Sequence, residues 1–82
     1  MKKIKNIEMT GSPKTAGFKT KAIFLEKLRL FGFEQKPMRK RNNECNILVT
    51  NDLNSNTAKM KLAEELGVEI MTYENLSELF DL

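Results

Sequence analysis

The sequence contains no histidine, no tryptophan and a single cysteine in 82 residues. One cysteine cannot form an internal disulfide, and without histidine the chain cannot supply the Cys/His ligand set of a zinc site. Acyl transfer by a Ser–His or Cys–His pair is excluded for the same reason. The composition therefore favours a binding domain rather than an enzyme, with no cofactor and no metal, in a reducing compartment.

Long apolar runs are also missing, since no segment approaches the ~20 residues of a membrane-spanning helix. The basic start of the chain, residues 1–5, is not followed by the apolar segment of a signal peptide. A chain of this length corresponds to one small domain, so we predict a single domain over residues 1–82. We expect a monomer without a membrane partner, located in the cytoplasm or, in a eukaryote, in the nucleus. The sequence is compatible with a free-standing protein and with a fragment of a larger one.

What the chain does contain is an alternation of short apolar runs and helical stripes. Strands are predicted at residues 7–9, 33–36, 47–49 and 68–71. Apolar positions with helical spacing recur in residues 24–31 and 62–66, and again at Leu76, Leu79 and Phe80. The resulting order, β-α-β-β-α-β-α, favours an α/β fold whose parallel sheet is covered on both faces.

Two segments far apart in the sequence place anion-binding groups just after predicted strands. Thr10 and Gly11 follow the first strand, and Lys59 lies near the start of the helix that follows the third. A hydroxyl can donate to an anionic oxygen, glycine lets a backbone N–H approach closely, and a helix N-terminus favours negative charge. If the two strands are neighbours, these groups form a phosphate pocket. The alternatives are a strand-to-loop turn capped by Thr10 and a solvated lysine at position 59.

A basic segment, residues 36–41, precedes the third strand and overlaps a polar loop, residues 38–44, that we expect to be mobile. The net charge of +3 is small, but four of the chain's basic side chains are concentrated in this segment. These cations are Lys36, Arg39, Lys40 and Arg41. They could contact a DNA backbone without reading its sequence, because no aromatic residues are interleaved for base stacking. The alternative is a solvated loop that keeps a small domain soluble.

Three segments together resemble the BRCT family. Residues 9–11 match its hydroxyl-glycine motif after the first strand, and residues 46–49 match its third strand. Residues 57–71 match its pattern of lysine, alanine and then Leu-Gly-Val-x-Ile followed by an apolar residue. The resemblance extends from about residue 4 to residue 79. The chain is most similar to the single BRCT domain of bacterial NAD-dependent DNA ligases and of the large subunit of the eukaryotic clamp loader.

The resemblance implies a four-stranded parallel sheet of order 2-1-3-4 flanked by three helices. In that order the carboxyl ends of strands 1 and 3 border a topological switch point, where open α/β sheets bind ligands. Phosphate-binding relatives add a basic residue near the start of the first helix. Counted from Gly32, this residue is Lys21, with Lys19 as the alternative because the loop after Gly11 is longer than usual.

The function implied by the resemblance is a non-catalytic module of a DNA ligase or another DNA replication or repair protein. Such a module would hold the 5′-phosphate of a DNA end or nick. The expected phosphate-binding residues are Thr10, Gly11, Lys21 and Lys59. The alternative is a protein-interaction module of the replication or DNA-damage machinery that binds a phosphorylated protein.

Overall fold

The computed structural model of the chain describes residues 5–81. The strands in this range are β1 (Lys5–Met9), β2 (Phe33–Gln35), β3 (Ile47–Thr50) and β4 (Glu69–Thr72). The α-helices are α1 (Lys21–Arg29), α2 (Ala58–Leu66) and α3 (Tyr73–Phe80), and a 3-10 turn (Pro13–Ala16) precedes α1. All strand pairs are parallel, and the order is β2-β1-β3-β4. The predicted fold, a parallel sheet of order 2-1-3-4 with three helices, is confirmed.

Each of the three helices begins after a threonine whose hydroxyl accepts a hydrogen bond from a backbone N–H of the first turn. The pairs are Thr20 with Ile23 at 3.2 Å, Thr57 with Met60 at 3.3 Å and Thr72 with Asn75 at 3.0 Å. Such an N-cap typically contributes about 1 kcal/mol to stability, so these positions fix where the helices start. The caps place Lys21 first in α1 and Lys59 second in α2.

The sheet is covered on both faces, and two separate clusters of buried side chains form the core. One cluster joins α1 and α3 to the sheet through Phe24, Leu28, Tyr73 and other residues, and the second joins α2 through Met60. Successive side chains of a strand point to opposite faces. In β1, Ile7 and Met9 therefore belong to the first cluster, whereas Glu8 between them points toward α2.

The carboxyl ends of β1 and β3 lie side by side at one edge of the sheet. The two strands pair directly, and the Thr10 N–H continues their ladder with a 2.8 Å bond to the Val49 carbonyl. The chain leaves β1 for α1 on one face and β3 for α2 on the other. This divergence creates the topological switch point that the resemblance to BRCT domains implied.

The last helix differs from its prediction in which residues it buries. Leu79, placed on the apolar stripe from its spacing, has 67% of its surface exposed, whereas Tyr73 and Leu76 are fully buried. The reason is that α3 begins directly after β4, so the strand sets the phase of the helix. Tyr73, Leu76 and Phe80 then face the core at i, i+3 and i+7.

This difference makes a matched pair of substitutions informative. We expect Leu76→Ala to lower the free energy of unfolding by about 2–5 kcal/mol, because it leaves a cavity in the core. Leu79→Ala, in the same helix, should change it by less than about 0.5 kcal/mol. Urea denaturation of both variants measures the two values. Equal losses would contradict the phase assigned to α3.

Candidate functional site

The Lys59 amine reaches across from α2 to the end of β1. It donates to the Met9 carbonyl and to the Glu8 carboxylate, each over 3.3 Å. The Lys59 side chain remains 47% exposed, whereas that of Glu8 is only 11% exposed. The structure thus brings Lys59 to the peptide that precedes Thr10, but it also pairs this lysine with a carboxylate that the sequence did not reveal as a partner.

Thr10 and Gly11 directly follow β1, and a contact from α3, on the face of the sheet opposite to Lys59, holds this segment. The Tyr73 hydroxyl donates to the Thr10 carbonyl over 3.0 Å. Gly11 has φ +75°, in the left-handed region, and a methyl group on its Cα would come within 2.7 Å of Asn51 Cγ. The left-handed conformation therefore favours glycine here, and any larger residue would also have to displace the exposed Asn51 side chain.

Tyr73 and Asn51 are parts of this site that sequence reasoning missed. Tyr73 is fully buried, and its ring meets that of Phe24 edge to face at a centroid distance of 4.9 Å. Burial raises the pKa of Tyr73 to about 12. Both residues could have been noticed from their positions in the sequence. Tyr73 follows Thr72, which caps α3, and Asn51 follows the apolar run that forms β3.

The two candidate lysines near α1 are less closely joined to this site. Lys21 begins α1 at the same edge of the sheet, and its side chain is exposed, as is that of Lys19. Within residues 5–81, neither side chain forms a hydrogen bond or ion pair. The structure therefore does not bring Lys21 or Lys19 into contact with Thr10 or Lys59, and their role stays a prediction.

The loop between β2 and β3 was expected to be polar and mobile, but it carries a buried anchor. Met38 is only 8% exposed and packs in the α2 cluster with Cys45. Its N–H donates to Glu8 Oε2 over 3.1 Å. The Asn43 side chain accepts from the backbone N–H groups of Arg39 and Cys45 at 3.2 and 3.3 Å. Internal contacts therefore fix the path of this loop beside β1.

Within residues 5–81, the cations of this loop differ in whether they form an ion pair. Lys36 pairs with Glu44, and this contact raises the pKa of Lys36 and lowers the pKa of Glu44. Arg39, Lys40 and Arg41 are exposed, and they form no ion pair in residues 5–81. Part of the loop lines a surface groove with a volume of about 650 Å³. The groove is lined by Gln35, Lys36, Pro37, Arg39, Arg41, Asn42 and Glu44.

In the described part of the chain, no group of three or more Asp, Glu, Cys or His side chains could hold a metal ion. The same residues include no helix with the length and apolarity needed to cross a membrane.

Comparison of the chain with models of protein families gives no match, and neither do comparisons with curated proteins and with solved structures. The similarity to BRCT domains therefore depends on the sequence motifs and on the strand order, and membership of that family remains a proposal.

The Tyr73–Thr10 contact yields a prediction for stability and its pH dependence. Tyr73→Phe should lower the free energy of unfolding at pH 7 by about 1 kcal/mol, because the Thr10 carbonyl loses its partner. Burial favours the neutral phenol, so its contribution is complete below pH 10 and is lost as pH rises toward 12. Urea denaturation at pH 7, 9 and 11 should show a steeper alkaline loss for the unaltered chain than for the variant. Parallel pH profiles would contradict this role of Tyr73.

Proposed function

We propose that this chain is a non-catalytic, BRCT-like binding module that holds the 5′-phosphate of a DNA end or nick. The proposed pocket lies at the carboxyl ends of β1 and β3, which are neighbours in the sheet. The observation that carries the proposal is the Lys59 amine, which reaches the last carbonyl of β1 beside Thr10 and Gly11.

The groups at this edge suit a terminal phosphate. The Thr10 hydroxyl, the Gly11 N–H and the Lys59 amine are donors, and the start of α2 adds the partial positive charge of a helix N-terminus. A charge-assisted hydrogen bond to such an anion contributes about 1.5–3 kcal/mol. A phosphate monoester carries about −1.5 to −2 charges at pH 7, so it should bind more strongly than an internal phosphodiester with one charge.

The basic loop supports DNA as the ligand. It leaves the carboxyl end of β2, which neighbours β1, and the Met38–Glu8 contact holds it beside that strand. Its exposed cations, Arg39, Lys40 and Arg41, directly follow this anchored residue before the loop returns to the amino end of β3. A strand that ends in the pocket could run along them, and such contacts would position the DNA without selecting a sequence.

The proposed parent is a DNA ligase or another replication or repair protein, on the strength of the BRCT-like motifs and the 2-1-3-4 strand order. The same three donors could hold a phosphoserine, so a phosphorylated protein is the second candidate ligand. The cations beside the pocket favour DNA, because a phosphopeptide would not need an extended basic surface.

Binding to a short duplex with and without a 5′-phosphate tests the pocket. We expect the unaltered chain to prefer the phosphorylated duplex, and Lys59→Met to weaken that binding about tenfold or more because a charge-assisted bond is lost. Lys61→Met removes the same charge from an exposed position on the same helix and should have little effect. Fluorescence anisotropy at fixed salt gives the affinities.

Equal affinity for the two duplexes, or equal effects of the two lysine substitutions, would rule out end recognition. A phosphoserine peptide that binds more tightly than the phosphorylated duplex would instead favour the second candidate.

The salt dependence of binding tests the basic loop. If Lys40 and Arg41 each neutralise one DNA phosphate, replacing both with alanine should reduce the slope of log affinity against log salt by about 1.8. Replacing Lys27 and Arg29 in the last turn of α1, near the opposite edge of the sheet, removes the same charges. That control should leave the slope unchanged. The same slope for both double variants would exclude the loop as a DNA contact.

A further inference from the structure

We propose that Glu8 is a built-in counter-ion that limits the affinity of the phosphate pocket while anchoring the basic loop beside it. This inference rests on the proposed function of Lys59. Glu8 would tune phosphate binding in two ways: its charge acts on Lys59, and its hydrogen bond to Met38 holds the basic loop in position.

Glu8 is unusual for its burial. Its residue surface is 8% exposed, and it is the only acidic residue buried among those the structure describes. It lies on β1 facing the α2 cluster, where Met38, Leu48 and Met60 are packed. A well-packed apolar residue at such a position is often as stabilising as a buried ion pair, or more so. The carboxylate is therefore not needed to fill this part of the core.

Each oxygen of the Glu8 carboxylate has its own partner. Oε1 accepts from Lys59 Nζ over 3.3 Å, and Oε2 accepts from the Met38 N–H over 3.1 Å. One side chain on β1 thus joins the start of α2 to the basic loop. The two elements are far apart in sequence, and both belong to the surface proposed to bind DNA.

The pair with Glu8 reduces what Lys59 can offer to a phosphate. A lysine ammonium has three donors, and here two are engaged by Glu8 and by the Met9 carbonyl. One donor remains for an incoming phosphate, and the nearby carboxylate repels the anion. Glu8 should therefore weaken binding, and it should weaken the binding of a doubly charged terminal phosphate more than that of an internal phosphodiester.

Two substitutions at Glu8 separate its two roles. In Glu8→Gln the amide oxygen can still accept from the Met38 N–H, but the charge that competes for Lys59 is gone. Glu8→Ala removes the charge and the anchor of the loop together. Glu69→Gln is the matched control, because Glu69 is exposed at the amino end of β4 and its replacement changes the net charge equally.

The probes are the 5′-phosphorylated duplex and its unphosphorylated counterpart. Glu8→Gln should bind the phosphorylated duplex about fivefold more tightly than the unaltered chain, with a smaller gain for the other duplex. Glu8→Ala should gain less than Glu8→Gln, because the basic loop is no longer held beside the pocket. Glu69→Gln should change both affinities little.

Unchanged or weaker binding by a folded Glu8→Gln, with a Lys59-dependent preference for phosphate intact, would overturn the role of Glu8 and leave the proposed function standing. If neither form distinguishes the two duplexes, both proposals fail.

A measurement on the unaltered chain does not depend on how the variants fold. The carboxyl carbon resonance of Glu8 should shift when the phosphorylated duplex is added, because Lys59 is then shared with the phosphate. The unphosphorylated duplex should leave it in place. No shift at saturating phosphorylated duplex would show that Glu8 does not respond to the ligand.

Discussion

The direct parallel pairing of β1 and β3 is the constraint on which the rest of the structure depends. Because the two strands are parallel, their carboxyl ends lie at the same edge of the sheet, and α1 and α2 both begin there on opposite faces. The threonine caps then fix the first turn of each helix at that edge. Thr10 and Lys59 are about fifty positions apart, and this topology, not a local motif, brings them to the same end of β1.

The end of β1 is held from both faces of the sheet. On the α2 face the Lys59 amine binds the Met9 carbonyl, and on the α3 face the Tyr73 hydroxyl binds the next carbonyl, that of Thr10. Glu8 adds a third attachment, since its carboxylate joins Lys59 to the loop at Met38. A backbone fixed in this way can present the Thr10 hydroxyl and the Gly11 N–H with little rearrangement, which is the preorganisation that anion binding favours.

Sequence reasoning found the elements, the parallel sheet and the buried strand β3, because apolar runs and helical spacing are local signals. It failed for features that depend on tertiary contacts, such as which side chains are buried and which residues they contact. The spacing of Leu79 could not reveal that β4 sets the phase of α3 and turns this residue to solvent. Glu8 lies between two apolar residues, a pattern typical of a strand with one exposed face, but here α2 covers that face. Its contacts with Met38 and Lys59, 30 and 51 positions away, carry no sequence signal. Ligand binding by the candidate residues remains a prediction.

We propose that the carboxyl ends of β1 and β3 bind a terminal phosphate. The most direct test is an NMR titration of the unaltered chain with a 5′-phosphorylated duplex and with its unphosphorylated counterpart. We expect the backbone signals of Thr10 and Gly11 and the side-chain signal of Lys59 to shift with the phosphorylated duplex alone. Shifts confined to the basic loop and identical for both duplexes would contradict it, leaving only non-specific contact with the DNA backbone.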